Sequence, residues 1–406
     1  MTRRAAEACT GCGAALDEGA RRHRCAAVSC DGVRLCDTCG EGGACDGCGG
    51  RLHADAAAFH VLRRRVFCEA YGDAVDAKPV DPRVVVGRAL DAYGARPFVG
   101  ESVGGRVRWR SYAEVGAAAR FFGAALRGAC AREARPCVAL CSGNSAGWLV
   151  ADLACALSYL PSVAADPGRR DAVDAVRAAV EGEHLVLTAA VVDGDSEADW
   201  GPGVAVFYAA DAAAALELGG ARSTEEDLGG GGDPALPVTC LFSFGSTGCP
   251  KPLWFDAGTW ATWTDRCPPA GRRARQSLER RSGAASCAVL FAPLSHGLAR
   301  KAFWTECVHG GRAGVVGPDV DAICLFSPTQ LSAAPRFFEL YRSRHDALVR
   351  GGATPEAALA AIAGLGGARL RFVACGGAVV PPELLEFLRT AFPRATVTDG
   401  YGNKLF

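Results

Sequence analysis

Leu241–Phe255 reads LFSFGSTGCPKPLWF. The apolar run 238–242 predicts a short buried strand, and Ser243, Gly245, Ser246, Thr247, Gly248, Pro250 and Lys251 follow it directly. Glycines let successive backbone N–H groups converge on one point, hydroxyls add donors, and a terminal lysine supplies a mobile positive charge. Such a loop suits a polyphosphate. No Gly-Lys-Ser/Thr closes it and no long helix start follows, so it is not the Walker form. On composition alone, an ordinary Gly/Ser/Thr surface turn is the competing reading.

The stretch resembles the nucleotide loop of the adenylate-forming superfamily, the acyl-CoA synthetases and their relatives, whose pattern is Ser/Thr-Ser-Gly-Thr-Thr-Gly-x-Pro-Lys-Gly. Phe244 stands where a small hydroxyl residue is usual, and Pro252 replaces the last glycine. The resemblance implies that Ser243, Gly245, Ser246, Thr247, Gly248 and Lys251 hold ATP phosphates. It also implies ATP, Mg2+ and coenzyme A as cofactors and a fatty acid or other carboxylate as substrate.

The 406 residues suffice for one large domain and a small module. Lysine plus arginine and aspartate plus glutamate both number 44, so bulk charge favours neither nucleic acid nor an anionic membrane. The most apolar window, 149–165, contains Asp152 and Pro161 and reads as a core helix and its exit. The N-terminus has no apolar signal core. The expected address is cytoplasmic, or peripheral to an intracellular membrane.

Of 20 cysteines, eight lie between Cys9 and Cys48, and the rest are scattered among apolar residues as small core filler. The cluster contains three CxxC pairs, Cys9/Cys12, Cys36/Cys39 and Cys45/Cys48, together with Cys25 and Cys30. A CxxC turn presents two thiolates to one tetrahedral ion, so eight such ligands fit two zinc ions. In a small Gly-rich module the metal would supply the folding energy. The segment resembles a ZZ-type cross-braced zinc finger. That likeness implies one ion on Cys9, Cys12, Cys36 and Cys39, and a second on Cys25, Cys30 and two of Cys45, Cys48, His53 and His60. Such a module would recruit a protein partner.

Residues 71–83, with Lys78-Pro79 and Asp81-Pro82, read as a linker. The expected domains are a zinc-binding module at 1–60, a helix and linker at 61–85, and an adenylation-type domain at 86–406. Beyond the linker, Gly104-Gly105 signals a hairpin, and Ser111 with Glu114 predicts a capping box for a helix bearing Val115, Ala118, Phe122 and Leu126 on one face. Expected strands at 137–141, 185–188, 204–208 and 238–242 alternate with helices, which argues a doubly wound α/β sheet. Trp109, Tyr112, Glu114, Val115, Asn144 and Trp148 match the opening of a long-chain acyl-CoA synthetase, where packing and capping account for them.

A further strand, 287–293, ends in Leu294-Ser295-His296-Gly297, where α/β sheets place ligands. A histidine there is equally compatible with a satisfied core residue. The resemblance makes Lys251 and His296 catalytic, His296 lining the junction of acyl group and nucleotide, and lays Gly376 and Gly377, within an expected tight loop at 375–378, against adenine. It carries Pro335 and Arg336 as a matching helix start, with Arg336 read as half of a structural ion pair and, as the alternative, as a contact to substrate phosphate. Gly400-Tyr401-Gly402 opens the family's Gly-Tyr-Gly-x-Thr-Glu motif, with Tyr401 stacking on adenine. Lys404 and Leu405 stand where Thr and the magnesium-holding Glu are expected. On the resemblance, the ribose-binding Asp and the C-terminal cap domain with its catalytic lysine are expected to be missing from these 406 residues. The expectation is therefore a long-chain fatty acid CoA ligase-like protein, by family an AMP-forming acid-thiol ligase, with loss of activity in the truncated form or membership of a longer enzyme as the two ways to account for the missing parts. The alternative is a non-catalytic nucleotide- or acyl-binding protein with a partner-recruiting zinc module.

Overall fold

The structure, a computed structural model, describes residues 81–218, 235–243, 250–260 and 286–400. It also describes two short antiparallel strands, β1 (His23–Arg24) and β2 (Arg34–Leu35). The cysteine cluster Cys9, Cys12, Cys25, Cys30, Cys36, Cys39, Cys45 and Cys48, the loop residues Gly245, Ser246, Thr247 and Gly248, and Tyr401 lie outside the described residues. The described parts belong to two compact units, one drawn from 70–266 and 289–322, the other from 1–69, 267–288 and 323–401.

The larger unit begins with α1 (Pro82–Ala92). The sequence reading placed Asp81-Pro82 in the linker; instead they start this helix. The Asp81 carboxylate accepts from the Arg83 N–H at 2.9 Å, and Pro82 costs nothing in the first turn, where its missing N–H would have no partner. Next come β3 (Pro97–Val103) and β4 (Arg106–Ser111), joined at Gly104 and Gly105, whose φ values of 58° and 74° suit the twist of a two-residue hairpin. The expected capping box opens α2 (Tyr112–Cys130), with the Ser111 and Glu114 side chains each bonded to the other residue's backbone N–H. Val115, Ala118, Phe122 and Leu126 are all buried on its inner face.

The main sheet of this unit uses β5 (Pro136–Cys141), β6 (Ser162–Ala164), β7 (Val186–Val192), β8 (Ala205–Tyr208), β9 (Thr239–Phe242) and β10 (Pro252–Phe255). Their order is β10-β9-β6-β5-β7-β8, parallel except for β10. All of β5 is buried because both faces are covered. Alternation sends Cys137, Ala139 and Cys141 into a cluster with Val176, Ala179 and Val180 of α4 (Ala172–Gly182). Helices α2, α3 (Ala146–Leu157) and α5 (Ala209–Glu217) pack against one another, and α2 also contacts β7 and α3 contacts β5. At Gly147 a Cβ would fall 1.9 Å from the Ala209 carbonyl oxygen, so only glycine admits this approach of α3 to α5. The unit also holds α6 (Gly297–Val308) and β12 (Arg312–Val315), which pairs parallel with β3. The Tyr112 hydroxyl lies 2.9, 3.2 and 2.8 Å from the carbonyls of Glu306, Cys307 and Gly311, tying α2 to the end of α6.

Between the units in sequence run β11 (Cys287–Leu290) and the short α7 (Val320–Cys324), each with residues in both. The smaller unit has β13 (Gln330–Ala333), β14 (Phe372–Gly376) and β15 (Thr396–Gly400) in parallel register, with Ala288 of β11 paired to Gln330. Against them lie α8 (Pro335–Arg350), α9 (Pro355–Gly366) and α10 (Pro382–Ala391). Tyr341 packs on Phe337, Phe338 and Phe392 at the centre of these helices. Strands alternating with covering helices make this an α/β fold with two mixed sheets. Among the described residues no helix is long and apolar enough to cross a membrane.

Candidate functional site

The loop after β9 is closed at its base. The Ser243 N–H donates to the Lys251 carbonyl at 2.9 Å, and the Lys251 N–H donates to the Ser243 hydroxyl at 2.8 Å. Together they bracket residues 244–249. The loop returns into β10, an antiparallel edge strand whose first residue, Pro252, pairs with Phe242. An edge strand tolerates the missing N–H of proline. Lys251 itself is exposed.

His296 is brought to the same end of the sheet by a different device. It is the N-cap of α6, in extended backbone, with its N–H bonded to the Pro293 carbonyl at 2.9 Å. The turn before it is held by Asn144, just past β5. The Asn144 side-chain amide donates to the carbonyls of Ala292 (2.7 Å) and Leu290 (3.4 Å), while its oxygen accepts from the Leu294 N–H at 2.8 Å. The sequence reading made Asn144 a turn residue; it is also the pin for the segment leading to His296. Trp148 is buried, and Trp109 lies over Gly100, so these two pack as expected.

Ser243 and His296 line one cavity of about 210 Å³. Phe242, Ala164, Ala165, Ala172 and Ala175 form its apolar wall, and Asp166, Arg169 and Ser295 supply the remaining polar lining. Small side chains from β6 and α4 leave the space open. The Ser295 hydroxyl is buried and has no hydrogen-bond partner among the described residues. Asp166 accepts from the Gly168 N–H at 2.9 Å. Arg169 pairs with Asp171, and their hydrogen bond holds the Asp171 carboxyl below its usual range. Burial, followed by the Asp166 and Asp193 carboxylates, pushes the Cys141 thiol up to about 11. It stays protonated at neutral pH and is a poor nucleophile. Among the described residues no three His, Cys, Asp or Glu side chains are grouped to hold a metal ion.

The elements that carry cavity residues, β6, β9 and α6, also hold a buried polar cluster that the motifs did not mark. Arg300 and Asp152, at 0 % and 1 % exposure, form an ion pair. Arg300 also donates to the hydroxyls of Thr239 (2.5 Å) and Ser162 (2.9 Å), and the Trp304 indole donates to Asp152 at 2.8 Å. The signal was available in outline, since an aspartate inside the apolar run of α3 has to find a cationic or hydrogen-bonding partner.

In the smaller unit, Gly376 is the last residue of β14, paired with Gly400 of β15. The sequence reading put both Gly376 and Gly377 in a loop; the strand extends through Gly376, and the loop starts at Gly377, with φ 82°. A Cβ on Gly376 would meet the Gly400 carbonyl oxygen at 2.0 Å, so this pairing depends on glycine. Arg336 is exposed in the first turn of α8.

No curated protein matches the chain. The A-PCP didomain of carboxylic acid reductase from Segniliparus rugosus, in complex with AMP, superposes with a TM-score of 0.62 at 19% identity, over 85% of this chain and 54% of that one. The A domain from the same organism, in complex with AMP and a co-purified carboxylic acid, gives 0.62 at 18% identity over 85% and 62%. VinN gives 0.58 at 15% identity over 79% and 74%. At these identities the likeness shows the fold. The AMP-binding enzyme family matches residues 87–403, well over half the sequence, and the chain belongs to that family.

Proposed function

We propose that the chain activates a carboxylic acid with ATP, forming an acyl-adenylate and pyrophosphate. The carrying observation is the clasp between Ser243 and Lys251, at the two ends of a glycine- and hydroxyl-rich segment, with Ser243 on the wall of the cavity that His296 lines. In this reading the loop N–H groups, Ser243, Ser246, Thr247 and Lys251 hold the phosphates, and the cavity takes the carboxylate. A substrate carboxylate oxygen attacks the α-phosphate and pyrophosphate leaves. The protein's contribution is to neutralise charge and align the two reactants. His296 is assigned to the junction of acyl group and phosphate, and Gly376, Gly377 and Tyr401 to the adenine. Magnesium would offset phosphate charge. The family's mode of use and the AMP-bound reductase domains support the reading.

The finer assignments belong to the same proposal. A long-chain fatty acid is one candidate substrate and thioester formation with coenzyme A one candidate second step, both resting on the sequence resemblance. The eight cysteines between Cys9 and Cys48 are proposed as a separate two-zinc module that binds a protein partner, checked by metal content per chain. A second reading, nucleotide or acyl binding without turnover, is favoured by Lys404 and Leu405 at the motif's Thr and Glu positions.

ATP–pyrophosphate exchange with short, medium and long fatty acids, aromatic acids and amino acids separates the two. Exchange with one class, reduced on the order of 10²- to 10³-fold in Lys251→Ala, supports activation. ATP binding by titration calorimetry without exchange supports the second reading. Neither binding nor exchange by folded protein overturns both.

A further inference from the structure

Three of the elements that line the cavity converge on one buried guanidinium. β6 carries Ala164 at its end, with Ala165 and Asp166 just beyond. β9 ends at Phe242, just before Ser243. The start of α6 carries Ser295 and His296. Two residues before Ala164 is Ser162, and three before Phe242 is Thr239. These two are register partners in the sheet, with hydroxyls 2.9 Å apart. Arg300 reaches both hydroxyls and stands one helical turn after His296, whose carbonyl accepts from the Arg300 N–H. Its Nε donates to Asp152 at 2.9 Å, and the indole rings of Trp148 and Trp260 each lie 5.4 Å from its guanidinium carbon.

An ion pair so deeply buried is poor evidence for stability, because well-packed apolar residues of similar volume hold a core together as well or better. Apolar residues cannot hydrogen-bond two strands and a helix at once. We propose that Arg300, oriented by Asp152 and Trp304, is a positioning residue. It locks β6, β9 and α6 in one register, so that Ser243 and His296 keep their places on the cavity wall. The consequence for catalysis rests on the adenylation reading above; the mechanical role does not.

The test uses the full chain carrying Asp152→Leu together with Arg300→Met, which removes both charges and keeps the volume. This variant leaves the Trp304 N–H without its acceptor and is expected to fold and to melt within a few degrees of wild type. Hydrogen–deuterium exchange should accelerate on the order of tenfold in 239–243, 251–255 and 294–297, with β7 and β8 unchanged. The kcat of pyrophosphate exchange should fall on the order of 10- to 100-fold with little change in the KM for ATP. Wild-type protection in those three segments, or wild-type kcat at wild-type stability, overturns the proposal. If the double variant does not fold, Thr239→Val with Ser162→Ala keeps the ion pair and removes both strand contacts of Arg300 together with the bonds the two hydroxyls make to each other's strand; the same local loss of protection at 239–243 and 294–297 is expected, and its absence at 294–297, which those hydroxyls reach only through Arg300, is equally fatal. A wild-type chain that exchanges pyrophosphate with no acid defeats the adenylation reading, and the protection measurement still decides the role of Arg300.

Discussion

Changing Asn144 to Asp is the sharpest probe of how His296 is held. The swap is isosteric, but at neutral pH it replaces an N–H2 that donates to the Ala292 and Leu290 carbonyls with a carboxylate oxygen that cannot. The 2.7 Å contact to Ala292 carries most of the loss, because the 3.4 Å contact is at the limit of a hydrogen bond. The acceptance from the Leu294 N–H survives. An acceptor left without its donor costs about 1–3 kcal/mol. Asn144 is only partly buried, so a loss of about 2 kcal/mol is expected at pH 7. The sign of the pH dependence follows from the same carbonyls. They face the introduced carboxyl and favour its protonated, donating form, which raises its folded pKa. The deficit should therefore shrink as pH falls and grow as pH rises. Urea denaturation of Asn144→Asp and wild type at pH 7 and near pH 4 measures both effects. Stability within about 0.5 kcal/mol of wild type at pH 7, or a gap unchanged in acid, would refute the assignment of this side chain as the pin.

Other consequences are equally direct. Gly147→Ala should lose about 1–3 kcal/mol, because its Cβ would overlap the Ala209 carbonyl where α3 meets α5; an unchanged melting temperature would show that α5 moves aside freely. Gly376→Ala should disrupt the pairing of β14 with β15, read as faster hydrogen exchange at 372–376 and 396–400, with protection of β5 retained. The Cys141 thiol is raised from 9.0 to about 11, so its share of stability is complete below pH 9 and is lost as pH rises through 11. It amounts to at most about 2–3 kcal/mol. Cys141→Ala should flatten the alkaline decline of denaturant stability, and an identical slope would contradict the shift.

Local chemistry made much of this chain legible before any coordinates. The capping box of Ser111 and Glu114, the Gly104-Gly105 hairpin and the wholly apolar β5 each depend on neighbouring residues alone, and all three form as read. Asp81-Pro82 was equally local: the same dipeptide starts a helix or punctuates a linker, and only the helix that follows decides which. The loop was recognisable because a glycine- and hydroxyl-rich run after an apolar strand is written in consecutive residues. Its return into antiparallel β10 was hidden, since Pro252–Phe255 has no period that distinguishes an edge strand from irregular chain.

What sequence alone determined, then, is the alternation of strands and helices and the family. Tertiary structure decided which distant residues share a wall: Ser243 with His296, Asn144 with the turn at 290–294, and Asp152 with Arg300, 148 positions apart. The physical reason is range. Capping and periodicity act over a few residues, whereas a buried charge or amide is satisfied by whichever groups packing brings within about 3 Å, and sequence separation carries no information about that distance.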